Sequence, residues 1–112
     1  MKIIVVTNIA HTMVGASRHP SGKKLYEFGD VVLDNFGCYG DASVNIDGFE
    51  RKVAPTSTVV GAAIMNAIVA QCVQNMVSDG FVPEVFASSN VDGGDEINHQ
   101  FIKKYRGEIK SL

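Results

Sequence analysis

A chain of 112 residues, 46% hydrophobic and 20% charged with a formal net charge of −2, makes one domain at most, with a modest core. Its ten Lys and Arg residues are scattered, with Lys-Lys pairs only at 23–24 and 103–104, which excludes a basic nucleic-acid face. Cys38 and Cys72 form no C-x-x-C spacing, so neither a zinc knuckle nor a redox pair is indicated.

Lys2 to Thr7, "KIIVVT", is a continuous β-branched run, the pattern of a strand buried on both faces in a parallel sheet. "NIAHTMVGASRH" has no clear period and reads as the crossing out of that strand. Ser21 then opens a short helix, "SGKKLYEFG", that Gly29 stops, and "VVLDN" is a second buried strand. Residues 2–35 thus predict a βαβ unit with a right-handed crossover. "SVNIDGFERKVA" predicts a hairpin turning at Asp47-Gly48.

A long helix is expected from Thr56 to about Val77, ended near Asp79-Gly80. No charge occurs from Val53 through Ser78, a length that would span a bilayer. Its Asn66, Gln71, Gln74 and Asn75, and the sparse flanking anchors, argue instead for a helix buried in a core or between subunits, with no membrane. "FVPEVFASS" reads as an edge strand, since Pro83 cannot serve a central one. The chain closes on an amphipathic helix, Asp95 to about Arg106, with Ile97, Phe101 and Ile102 on its apolar side. The apolar start is too short for a signal peptide, and a cytoplasmic location is expected.

Thr56, Ser57 and Thr58 crowd the start of the long helix. One hydroxyl suffices for a cap. Three, at a helix end offering free N–H groups and a positive dipole, suggest a seat for phosphate. A second candidate is "SRHPSGKKL": His19 has a pKa suited to acid–base work, Pro20 fixes an extended approach, and Ser21 is a further phosphate-binding candidate. The plainer reading of His19 is an exposed loop residue. "SGKK" is no Walker A motif. Asp41, in the glycine-rich "YGDA", is a candidate base or sugar-hydroxyl ligand; the alternative is an Asx-turn. Asp92, Glu96 and His99 in "NVDGGDEINHQ" are weaker candidates. They lack a calcium-loop order, and the acids at 95 and 96 suit a first helical turn. Neither metal-ligand spacing nor a cofactor fingerprint occurs.

Four ordered blocks, "HPSGKKLYEFGDVVLDN", "YGDASVNIDG", "VAPTSTVVGAAIMNAIVA" and "SSNVDGGDEINHQFIKKYRGEI", resemble a bacterial family of SIS (sugar isomerase) domain proteins labelled phosphosugar or phosphoheptose isomerases. The resemblance covers nearly the whole chain and implies a flavodoxin-like three-layer α/β/α sandwich on a parallel sheet, sugar-phosphate ligands and oligomers. It also implies that 1–112 is one partial SIS domain, the C-terminal half, because the family's principal phosphate loop follows an earlier strand. Thr56, Ser57 and Thr58 match the family's hydroxyl-rich helix start beside the ligand. The family's helix histidine has no counterpart, so His19 and Asp41 are the acid–base candidates. Aldose–ketose isomerisation through an enediol is expected if the missing half completes the site. A non-catalytic phosphosugar sensor, a module that joins identical copies through the long helix, or an inactive truncated product are the alternatives.

Overall fold

The computed structural model describes residues 1–109 as a mixed α/β protein. Strand β1 (Ile4–Thr7) leads into helix α1 (Ile9–Met13), a 3-10 turn (Leu25–Phe28) and strand β2 (Val31–Asp34). A hairpin follows, β3 (Ala42–Ile46) and β4 (Phe49–Pro55), then helices α2 (Thr56–Ser78) and α3 (Gly94–Tyr105). Two compact units divide between Ala70 and Gln71, within α2.

In the first unit β1 and β2 pair in parallel, Ile4 with Val31 through Thr7 with Asp34. Carboxylates close both ends of this pair. Asp30 accepts the Ile3 N–H at 2.8 Å and meets the Lys2 ammonium at 3.0 Å, and these contacts hold its pKa below the ordinary Asp value. At the other end Asp34 Oδ1 accepts the Ile9 N–H at 3.2 Å and the Phe36 N–H at 2.9 Å. The crossover is tighter than its sequence suggests. The expected helix from Ser21 shrinks to one 3-10 turn, because Gly22 sits at φ +70° and donates its N–H to the His19 carbonyl at 2.9 Å, a turn no helix continues. The unassigned stretch before it holds α1, capped by Asn8, whose side chain accepts the His11 N–H at 2.8 Å.

The hairpin turns at Asp47-Gly48 as the sequence predicts, with Ile46 opposite Phe49. Gly48 takes φ +78°, the left-handed turn conformation glycine adopts freely. Helix α2 runs the expected length and stops where Gly80 turns left-handed at φ +81°.

In the second unit the expected edge strand at 81–89 is absent. The segment instead lies along α3, held by side chains: Asn98 accepts the Ala87 N–H at 2.9 Å and donates to its carbonyl at 2.8 Å. Phe86 packs edge-on against Phe101 at 5.9 Å, and Lys104 pairs with Glu84 at 2.6 Å. A segment whose backbone partner is an Asn side chain has no ladder to join.

Burial departs most from the sequence reading. Val5 is the one buried hydrophobic side chain among the described residues, 4% exposed, while its neighbour Ile4 is 58% exposed. Strand β1 is therefore not covered on both faces. Helix α2, expected to be buried, contains no buried residue, and its length and composition would also allow it to cross a membrane. Val5 packs beside Gly29, where an added Cβ would meet Val5 Cγ2 at 3.0 Å, so this contact joins the crossover to the sheet. Val5→Ala should therefore lower stability by about 2 kcal/mol, read as a fall in the urea midpoint. Val59→Ala on exposed α2 should leave that midpoint nearly unchanged.

Candidate functional site

The start of α2 is built around Asp41. This residue takes φ +71°, a strained conformation that Asp tolerates better than most side chains, and it turns its carboxylate onto the helix end. Asp41 Oδ1 accepts the Ser57 N–H at 2.7 Å and the Thr56 hydroxyl at 3.2 Å; Oδ2 accepts the Ser57 hydroxyl at 2.8 Å. The Asp41 carbonyl takes the Thr56 N–H at 3.0 Å. Pro55 has no N–H to offer, so the first two amide donors of α2 are already satisfied. Hydrogen bonds from Ser57, then from Thr56, hold the Asp41 pKa below its ordinary value.

The Asp41 carboxylate occupies the Thr56–Ser57 end of the expected phosphate seat. A phosphate approaching Thr56 and Ser57 would meet a carboxylate in the place it needs, and like charges repel. Thr58 is exposed and outside this cluster. The same contacts weigh against the expected role of Asp41 as a base, since a carboxylate stabilised in its charged form by a helix end is a weak one. Asp41 is the cap of α2, reaching it from 15 residues earlier in the chain.

The loop that carries Asp41 also reaches α1. Gly37 lies so close that a Cβ there would meet Thr56 Oγ1 at 2.9 Å and Asn35 Oδ1 at 3.2 Å, and its carbonyl accepts the Asn8 side-chain amide. The Gly40 N–H donates to His11 Nδ1 at 3.0 Å, and the His11 ring lies 5.0 Å from that of Tyr39. A ring nitrogen that accepts from a backbone amide cannot carry a proton, so the ring proton of neutral His11 is on Nε2.

His11 lines a cavity of the first unit, about 750 Å³ in volume. Arg18, His19, Lys23, Lys24 and Ser17 line it too, with Leu25 and Phe28 supplying apolar wall. Three of the chain's ten cations thus face one cavity, and no Asp or Glu is among its lining residues. The loop is braced from within: the Ser17 hydroxyl donates to the Lys23 carbonyl at 2.7 Å, and Lys24 Nζ donates to the Thr12 carbonyl at 2.5 Å. His19 Nδ1 accepts the Ser21 N–H at 3.2 Å and lies 2.8 Å from the Ser21 hydroxyl, which again leaves the proton of the neutral ring on Nε2. Ser21 thus orients His19 and is not itself a lining residue. The cavity takes in His19 but none of Asp41, Thr56, Ser57 or Thr58.

In the second unit, His99 Nδ1 donates to the Asp95 carbonyl at 2.7 Å, one turn back along α3. Among the described residues this replaces the expected Glu96–His99 pair, and no grouping of His, Cys, Asp or Glu suits a metal ion. The cavity of this unit, about 460 Å³, is lined mainly by apolar side chains such as Val82, Phe86 and Phe101; Asp92, Glu96 and His99 lie outside it. Sequence reasoning missed His11 because the stretch around it has no readable period; its one local signal was Asn8 as a cap three residues earlier.

No family model matches the chain. It is similar to UPF0309 proteins: 42% identical over 109 residues to one from Geobacillus sp. (strain WCH70), and 43% over 110 residues to one from Listeria innocua serovar 6a. A UPF0309 protein of Shouchella clausii is 40% identical over 109 residues. These matches cover 97–98% of this chain but 44% of each relative, so the chain spans less than half the length of the curated relatives it matches.

The Asp41 cap fixes a pH dependence. Its folded pKa is depressed, so its contribution to stability is full above the unfolded value of about 3.9 and is lost as pH falls through the lower folded value. Asp41→Asn should flatten the stability profile in that acid range. It should also speed amide exchange in the first turn of α2, with exchange in the β3–β4 hairpin unchanged, as read by hydrogen–deuterium exchange.

Proposed function

We propose that this chain is a phosphosugar-binding domain of the SIS type, with the ligand's phosphate held in the Arg18–Lys24 cavity rather than on the start of α2. The observation that carries the reading is the cavity's composition: Arg18, Lys23 and Lys24 around a space of about 750 Å³ with no lining carboxylate, in a chain whose net charge is negative. A phosphate ester is the anion such a site suits, since guanidinium and ammonium groups give charge-assisted hydrogen bonds. Ser17 and the Nε2–H groups of His11 and His19 are donors suited to sugar oxygens. The parallel β1–β2 pair is consistent with the centre of a flavodoxin-like three-layer sandwich whose other strands lie outside the chain. Free Cys38 and Cys72 favour a cytoplasmic setting.

With Asp41 committed to the helix, binding rather than isomerisation is the better-supported role. Were the site catalytic, His11 or His19 would be the group moving a proton between adjacent sugar carbons. Titration calorimetry with fructose 6-phosphate tests the reading. Arg18→Ala and Lys23→Ala should each weaken binding about tenfold, the loss of one charge-assisted contact. Ser57→Ala should change it less than twofold; a larger effect of Ser57→Ala than of Arg18→Ala overturns the reading. Incorporation of solvent deuterium into the sugar would establish catalysis, and binding without it the sensor.

A further inference from the structure

The cations of the Arg18–Lys24 cavity are not held alike. Lys23 and Lys24 are neighbours, Lys24 on extended backbone at φ −100° and ψ 158°, and their ammonium groups go to different partners. Lys24 Nζ donates to the Thr12 carbonyl of α1 at 2.5 Å, so part of its donor capacity is spent within the protein. Lys23 Nζ instead lies over the Phe28 ring, 5.6 Å from its centroid, within the range at which a ring face attracts a cation. Lys23 and Phe28 both line the cavity. The Lys23 backbone is fixed on both sides: its N–H donates to the Ser21 hydroxyl at 3.3 Å, and its carbonyl accepts the Ser17 hydroxyl at 2.7 Å. Phe28 is fixed as well. It ends the 3-10 turn, which the Lys24 N–H closes onto the Glu27 carboxylate at 2.6 Å, and the next residue, Gly29, packs against buried Val5. The ring itself is 51% exposed, so the core does not use it up.

We infer that Phe28 is a positioning residue for anion binding: it holds the Lys23 ammonium at the cavity, so that Lys23 and Arg18 contact the phosphate while Lys24 braces the loop. The inference rests on the phosphosugar reading of this cavity proposed above. A lysine is a point charge on a flexible four-carbon stem, and immobilising that stem on a ligand costs entropy. A ring that restricts the stem beforehand removes part of that cost. The ring face accepts the cation without consuming its N–H groups, so the Lys23 donors stay available to phosphate oxygens. A carboxylate in the place of Phe28 would also hold Lys23, but it would cancel the charge that an anion needs. Arg18 needs no such support, because its guanidinium is a planar, preorganised fork.

The test is a double-mutant cycle on Phe28 and Lys23, read by titration calorimetry of the full chain with fructose 6-phosphate. Phe28→Leu should weaken binding about threefold, and Phe28→Tyr, which keeps the ring face, should stay within about twofold of the unaltered chain. In a Lys23→Met background, Phe28→Leu should have no further effect, because the partner it positions is gone. A Phe28 that only supports the fold would weaken binding in both backgrounds, and that result overturns the inference. Lys24→Met should weaken binding less than Lys23→Met does; the reverse order also overturns it. Urea midpoints establish that each variant is folded, and should Phe28→Leu not fold, Phe28→Met takes its place in the cycle. If Arg18→Ala weakens binding while Phe28→Leu does not, the positioning role falls and the phosphosugar reading stands. If Arg18→Ala and Lys23→Met both bind like the unaltered chain, that reading falls and takes the inference with it.

Discussion

The Asp41 carboxylate is the joint on which the first unit turns. It satisfies the opening donors of α2, and the loop that delivers it places Gly40 against His11 and Gly37 against Asn8. Helix end, hairpin exit and the wall of the basic cavity thus share one short loop. The left-handed backbone at Asp41 is the strain this arrangement carries, offset by several charge-assisted hydrogen bonds. A hydroxyl cap from Thr56 or Ser57 itself would satisfy the helix but would tie nothing else to it.

That joint also separates the hydroxyl triplet from the proposed anion site. A helix N-terminus has a limited set of free donors, and a resident carboxylate and an incoming phosphate compete for them. Positive charge for a ligand must then come from side chains elsewhere. The chain has it in the β1–β2 crossover, where Ser17, His19 and Ser21 fold the loop on itself and Arg18, Lys23 and Lys24 face one space.

Much of the local structure was legible in the sequence. The β-branched runs at 3–7 and 31–34, the Asp47-Gly48 turn and the uncharged stretch after Pro55 each became the element their pattern predicts. What was not legible depends on contacts between distant residues. Asp41 in "YGDA" carries no mark that it will cap a helix fifteen residues on, and His11 carries none that Gly40 will hold its ring. The short crossover helix failed because Gly22 takes a left-handed turn that periodicity cannot register. The edge strand expected at 81–89 failed because an Asn98 side chain satisfies Ala87 in place of a neighbouring strand. Burial was misread for another reason: apolar patterning marks surface that seeks cover, and within this chain that cover is not supplied.

The charge-free stretch from Val53 through Ser78 has a kinetic meaning. A helix with no ionised side chain exerts no long-range pull on an approaching partner, so its encounters run near the unsteered rate of about 10⁵–10⁶ M⁻¹s⁻¹ and are nearly indifferent to ionic strength. A phosphate drawn to the Arg18–Lys24 cavity, as proposed, would behave oppositely, slowing as salt screens it. Under the proposed function, raised salt would weaken anion capture at the cavity while leaving encounters of the helix nearly unchanged.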